Sequence, residues 1–520
     1  MKRNARFTPL IFGCLQALLM LPSALAQSEG DLVKKLSGTD ARTRRSAVKS
    51  LAQIGSEAAW KAIAEEALGD TEPQVADEAQ WQMGRASWSE ALMETVDSKL
   101  ALRARAELVR ERVAEALGRV QGTVPAELFT RALKDKEAAV RAAAAYALEA
   151  RLRLGAEALD LSDAKELANL RKAASKVANS DRDERARANG IAALAALASV
   201  DPGSEALAKK ALSREDRSGL VRAASLWAAG DVNTVADLSA ALADEDHGAA
   251  MVALRLLHRR ADRDSVVALS AALPGDGLPA GDAKMRPALA WAIVGSLREA
   301  SGLSHGLARA RWVRWAEGLD ADLAVGFRNR LGPNGKREAD EESASTTFYG
   351  LRLVSDRLVF LVDMSGSMWT KSGDTTRKVQ VGVELAKALR GLPEHASFNL
   401  IPYATFPGPW EDGLVPATSK NVEKAIEWFE RNTQRGKGDV WTALIPVLRD
   451  PEVDTVVILS DGAPSGGERW NVELMRPLLQ DENRLRGVVI HAVMFDASKF
   501  LQRSWKAIVG DWGGVQQLID

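Results

Sequence analysis

Residues 358–368 read LVFLVDMSGSM, and the interpretation of the chain starts there. Five consecutive apolar residues, 358–362, describe a strand buried on both faces, the kind found in a mostly parallel sheet covered by helices. The Asp that follows, and the Ser-Gly-Ser turn after it, place oxygen-bearing side chains at the carboxyl end of that strand, where open α/β sheets collect their ligands. Strands of the same kind are predicted at 398–403, at 455–459 (TVVIL) and within 487–495 (GVVIHAVMF), alternating with helices at 379–389 and 421–430. The region 351–520 therefore reads as an α/β doubly wound, Rossmann-like domain with a mostly parallel sheet.

The strand at 455–459 runs into Ser460-Asp461-Gly462. A carboxylate from each of two neighbouring strand ends can converge with the hydroxyls of Ser365 and Ser367. A ligand set of oxygens, without His or Cys, suits a hard cation that keeps some of its water: Mg²⁺, with Mn²⁺ or Ca²⁺ as alternatives. VFLVDMSGSM resembles the D-x-S-x-S element of von Willebrand factor type A domains, and VVILSDG resembles their second acidic element. The resemblance covers about residues 355–520 and implies a metal-ion-dependent adhesion site. Asp363, Ser365 and Ser367 would then hold the cation or its waters, and Asp461 would act through water. An acidic group of a protein partner would fill the open coordination position. One element departs from the family, which usually supplies a Thr from a G-G-T-x-T loop before a helix ending in Ala-Leu. In GKGDVWTAL (436–444) Gly438 stands in its place. Asp439 is the expected replacement ligand, and Thr442 the less favoured one because it lies further into the helix. Trp369, Trp441 and Trp470 follow this edge in sequence, and read either as anchors for a partner or as packing beneath the loops.

Upstream the grammar differs. Residues 331–347 (LGPNGKREADEESASTT) are polar and rich in turn formers, which places a linker at 321–350. Before it, from 27 to 320, one theme recurs: Leu, an acidic turn, Arg, then an Ala-rich apolar stretch. It appears at 36–55, 68–84, 112–118 and 133–148, and more loosely at 183–194, 212–229 and 242–257. A period of roughly 30 residues means helix pairs stacked on like neighbours. Asp135, Val140, Arg141, Ala144, Ala147 and Leu148 resemble the HEAT-type signature. That resemblance implies an α-helical solenoid with an extended surface for other proteins; the alternative is an irregular helical domain that supports its neighbour. Trp312 and Trp315, three apart on one helix face, are expected to close the end of the array.

The chain has 520 residues, 69 Lys and Arg against 70 Asp and Glu, and is 46% hydrophobic. Balanced charge offers no reason to expect nucleic acid or an anionic membrane as partner. Lys2, Arg3 and Arg6, the apolar run after them and Ala24-Leu25-Ala26 lay out a secretory signal peptide at 1–26. This reading takes precedence over an uncleaved anchor and over lipid attachment at Cys14. The expectation is an exported protein, periplasmic or extracellular, with no stable membrane span after cleavage. Cys14 is the single cysteine, so a chain cut after Ala26 has no disulfide and no thiolate ligand. The five histidines are His247, His258, His305, His395 and His491, and none falls where it would serve Ser365 or Ser367 as a base. The chain therefore reads as a non-enzymatic protein-binding or adhesion protein. The alternative is a scaffold whose repeats bind while the second domain stays metal-free. A metal-dependent hydrolase is the third reading.

Overall fold

The computed structural model describes residues 28–260, 262–275, 285–319, 346–461 and 463–519. The expected signal peptide at 1–26 and most of the expected linker lie outside them. Among the described residues no helix is long and apolar enough to cross a membrane.

Every copy of the repeat theme is the second helix of a pair. Ala41–Ile54, Pro73–Arg85, Glu107–Leu117, Ala138–Leu154, Glu184–Ala198, Gly219–Ala229 and His247–Arg260 stack side by side as one layer, each preceded by a first helix that is shorter in every pair but Ala164–Ser180 with Glu184–Ala198. The acidic turn residue does two jobs. Asp40 and Asp183 accept backbone N–H bonds from Thr43 and Ala186 as helix caps. Asp70, Asp135, Asp181 and Asp244 each receive the arginine of the preceding copy: Arg44 on Asp70, Arg110 on Asp135, Arg141 on Asp181 and Arg222 on Asp244, through paired N–H bonds of 2.6–3.0 Å. The third nitrogen of each arginine donates to carbonyls of its own turn. A ladder of bidentate pairs thus fixes the spacing of successive repeats. The small residues of the theme set the helix separation: a Cβ on Gly118 would lie 3.0 Å from the Cα of Ala147. At the far end Trp312 is fully buried, donates to the Gly306 carbonyl (2.8 Å) and meets Trp315 edge-on, the closing cluster expected of an end repeat.

The C-terminal sheet contains β1 (Arg357–Asp363), β2 (Ser397–Tyr403), β3 (Val415–Pro416), β4 (Thr455–Ser460), β5 (Val489–Phe495) and β6 (Gln516–Ile519) in the order β6-β5-β4-β1-β2-β3, parallel except for β3. Alternation along β1 divides its side chains between two cores. Leu358, Phe360 and Val362 pack with helices Arg377–Arg390 and Ser419–Arg431, whereas Val359 and Leu361 pack with Val440–Arg449, Val472–Asn483 and Lys499–Asp511. The chain leaves β1 toward β2 on one side and later returns to β4 on the other, so the carboxyl ends of β1 and β4 flank a crevice at the topological switch point. Residues 346–350, read from sequence as the end of the linker, already belong to this domain. Thr346–Phe348 pairs with Leu351–Leu353, and Phe348 packs edge-on against Phe360. One apolar residue in Thr346–Phe348 and two in Leu351–Leu353 were too few to register as a strand pattern beside so polar a stretch.

The two parts are packed together. The inner helical layer meets helix Val472–Asn483 and its flanking loops through buried charge. Arg484 pairs with Glu149 (2.5 Å) and donates to Asn189 (2.8 Å), and Arg185 pairs with Asp481 and Glu482.

Candidate metal centre

Asp363 ends β1 with its carboxylate 4% exposed. Because the chain turns at once, the Ser365 backbone N–H donates back to Oδ1 at 2.7 Å, while Ser460, ending β4 next door, donates its hydroxyl to Oδ2 at 3.1 Å. Ser365 and Ser367 place their hydroxyl oxygens 3.0 Å apart beside it. Burial, together with the charge of Asp461, pushes the Asp363 carboxyl up to about 6. Tyr403, opposite Asp363 on β2, lies beneath; its hydroxyl donates to the Leu459 carbonyl at 3.2 Å. Burial first, and the nearby carboxylates after it, hold the Tyr403 phenol well above its usual range. Asp363, Ser365, Ser367 and Asp461 are thus gathered at one edge.

Gly438 occupies the position at which the sequence pattern places it. A Cβ there would sit 3.5 and 3.6 Å from the two oxygens of Asp363 and 3.7 Å from the Cβ of Ser365, ordinary contact distances. The backbone is therefore poised over the carboxylate with no side chain to offer. Asp439 turns elsewhere. Its carboxylate accepts the Thr442 N–H at 3.0 Å, capping helix Val440–Arg449, and lies against Gly467, where a Cβ would fall 1.9 Å from its Cγ. Gly467 has φ +88, a conformation glycine adopts without strain. An Asp just before the first helical residue readily accepts a backbone N–H there, and one oxygen of Asp439 is taken up in this way.

Two residues escaped the sequence reading. Arg377 donates to Asp461 Oδ2 at 3.3 Å and, through its other terminal nitrogen, to Asp496. It opens helix Arg377–Arg390, where the helix dipole disfavours a cation; that breach of a local rule was the available signal. Asp496, with φ 42, ends β5 at the same edge.

The three tryptophans resolve differently. Trp441 is 7% exposed and part of the core, and Trp470 faces the helical array with the Arg45 guanidinium 4.8 Å above its ring. Trp369 is half-buried against the sheet domain, beneath Arg435 at 4.2 Å. Packing takes at least the first two.

The donor set fits a hard cation: two carboxylates and two hydroxyls, all oxygen, with Asp363 and Ser365 buried and Ser367 exposed. Among the described residues no group of three or more His, Cys, Asp or Glu is placed to hold a metal, which leaves softer, nitrogen- or sulfur-rich sites without a candidate. The histidines stand apart from this edge. His491 is buried within β5, accepts the Val515 N–H at 3.1 Å, and is held down to about 4 by burial. His395 acts on Asp356, at the amino end of the sheet.

The model of the von Willebrand factor type A domain family matches residues 356–500. Inter alpha-trypsin inhibitor heavy chain 4 of Mus musculus is 29% identical over 130 residues, 23% of this chain and 13% of that protein. The H4 heavy chain of Homo sapiens is 31% identical over 131 residues, 23% of this chain and 14% of that protein. The chain thus spans about a seventh of the length of these relatives. Among solved structures, a designed armadillo repeat protein aligns over 40% of this chain and 100% of its own, with 17% identity and a TM-score of 0.25, too weak a likeness to bear on the argument.

Proposed function

We propose that this chain, whose residues 356–500 form a von Willebrand factor type A domain, is an exported, non-enzymatic protein-binding protein that engages its partner through a divalent cation. Asp363, Ser365, Ser367 and Asp461 hold the ion, Mg²⁺ in preference to Mn²⁺ or Ca²⁺, and an acidic side chain of the partner completes the site. Asp439 supports this set as the cap that fixes the adjoining loop. The cation supplies the positive charge that attracts the partner's carboxylate. The residues of the chain hold and orient: the Ser365 N–H and Ser460 hydroxyl fix the two Asp363 oxygens, and Arg377 restrains Asp461.

The observation that carries the reading is the buried Asp363 carboxylate, flanked by two hydroxyls and with the charge of Asp461 acting on it, which among the described residues makes no ion pair with a basic side chain. Burying a carboxylate without a counter-charge is costly, and a cation removes that cost. Export rests on the pattern of residues 1–26. The reading as a binder rather than a hydrolase is supported by the absence, among the described residues, of a histidine at this edge. The alternative, in which the helical array captures partners on its inner layer, is disfavoured because much of that layer lies against the sheet domain.

Calorimetric titration of Mg²⁺ into the full chain tests the metal claim: wild type is expected to bind and Asp363→Ala to lose binding. Equal heats from the two proteins would discard it. Partner capture that proceeds unchanged in EDTA would discard the cation-mediated contact.

A further inference from the structure

Two loops complete the carboxyl edge of the sheet, 436–439 and 461–471, and both are held from outside their own domain. They are first stitched to each other: the Gly438 N–H donates to the Ser465 hydroxyl at 2.8 Å, and the Ser465 N–H returns to the Gly438 carbonyl at 3.0 Å. The second loop then enters the helical array. Arg469, 1% exposed, donates to Gln80 at 2.6 Å and to Glu115 at 3.0 Å. The backbone N–H groups of Trp470 and Asn471 donate to a single oxygen of the buried Asp77, at 2.5 and 2.8 Å. Arg112, paired through its other nitrogen with Asp77, donates to the Glu468 carbonyl at 2.8 Å. Lys437, in the first loop, faces Glu72 at 3.8 Å.

These anchors all come from helices Pro73–Arg85 and Glu107–Leu117 or the turn just before the former. All but the Glu72–Lys437 pair grip the chain within ten residues of Asp461. Asp461 directly follows β4, and the segment 463–471 is held at Ser465 by Gly438 and at its far end by the array. A ligand set built partly on loops binds well only when its supporting contacts remove the loops' freedom beforehand. Partners one layer out from a metal typically matter about 10- to 100-fold in affinity.

We infer that the helical array is the positioning element of the cation edge, and that Arg469 is the positioning residue through which it sets the Asp461 and Gly438 loops. The inference rests on the cation reading above. On this account the array takes no part in holding the ion. Its inner surface is committed to its own sheet domain as an intramolecular clamp, and the affinity of the edge depends on that clamp being closed.

The test uses the full chain, with Mg²⁺ affinity read by calorimetry and loop order by hydrogen exchange of peptides covering 461–471. Arg469→Met is expected to weaken Mg²⁺ binding about tenfold and to raise exchange in that segment. Arg469→Lys, which keeps the charge, should recover part of the affinity. Arg390→Met, which removes an exposed pair with Glu423, should change neither readout. Should Arg469→Met fail to fold, Glu115→Gln takes its place, with weaker binding and faster exchange expected. Wild-type affinity in the folded variant overturns the inference while the cation reading stands. Wild-type heats no larger than those of Asp363→Ala remove the cation reading itself, and the inference with it.

Discussion

Gly438 lies directly over the Asp363 carboxylate, at ordinary van der Waals distance for a side chain that is not there. Its φ is not in the left-handed region, so a Cβ brings no backbone strain there. Gly438→Thr is therefore expected to tighten Mg²⁺ binding by adding a hydroxyl donor in place of a water, by about 1 kcal/mol or roughly fivefold. Calorimetry on the full chain reads this directly; unchanged or weaker binding would show that the loop has a different register over the ion. Asp439 illustrates the opposite case. It is a carboxylate beside the site by sequence, yet its position before a helix and the side-chain-free surface of Gly467 draw it into capping. A helix N-terminus with free N–H groups gave one of its carboxylate oxygens a partner in the Thr442 N–H.

Among the elements, the helical repeats depend on the Arg–Asp ladder more than on any single apolar contact. In Ala138–Leu154 the buried positions 142–145 and 147 are all Ala, which bury modest area each, and the charged pairs fix how one copy sits on the next. Arg141 donates twice to Asp181, whose side chain is only 4% exposed, and once each to the Asp135 and Lys136 carbonyls. Arg141→Met would leave Asp181 with its desolvation uncompensated. A loss of about 2 kcal/mol is expected, less than for a fully buried pair because Arg141 is 18% exposed, and a urea midpoint unchanged from wild type would contradict it. These arginine hydrogen bonds also hold the Asp181 carboxyl below its usual range against the opposing effect of burial.

The whole molecule is joined across a charged interface with few ways to rearrange. His247 opens the last long helix of the inner layer, next to Gly248, whose Cα approaches the Leu485 carbonyl so closely that a Cβ would lie 2.3 Å from it. Burial, reinforced by the charges of Arg286 and Arg255, holds the imidazole down to about 3. The unfolded chain therefore takes up this proton near pH 6.5 while the folded one resists it until about 3. The unfolded state binds more protons within that window, and stability falls as pH drops through it. Relative to His247→Gln, wild type is expected to lose about 3 kcal/mol more between pH 7 and pH 4, read from denaturation midpoints at the two pH values. Parallel losses in both proteins would place His247 in a solvated setting.

The order of strands and helices in residues 351–520, the recurring helix pairs before them, and the gathering of Asp363, Ser365, Ser367 and Asp461 could all be read from residue types. Short apolar runs rich in β-branched residues between helical segments favour strands covered on both sides, a thirty-residue period favours like packing on like, and residues that leave adjacent parallel strands at their carboxyl ends lie at one edge. Tertiary structure decided what lies between distant segments. Arg377 reached Asp461, Asp439 turned to its helix, Trp441 entered the core and Trp470 met Arg45, and Arg469 crossed into a pocket of Asp77, Gln80 and Glu115 more than three hundred residues away. No periodicity records such pairings. A charged side chain is compatible with water everywhere along the chain, and only the packing of one domain on another determines which charges lose that water and must find each other.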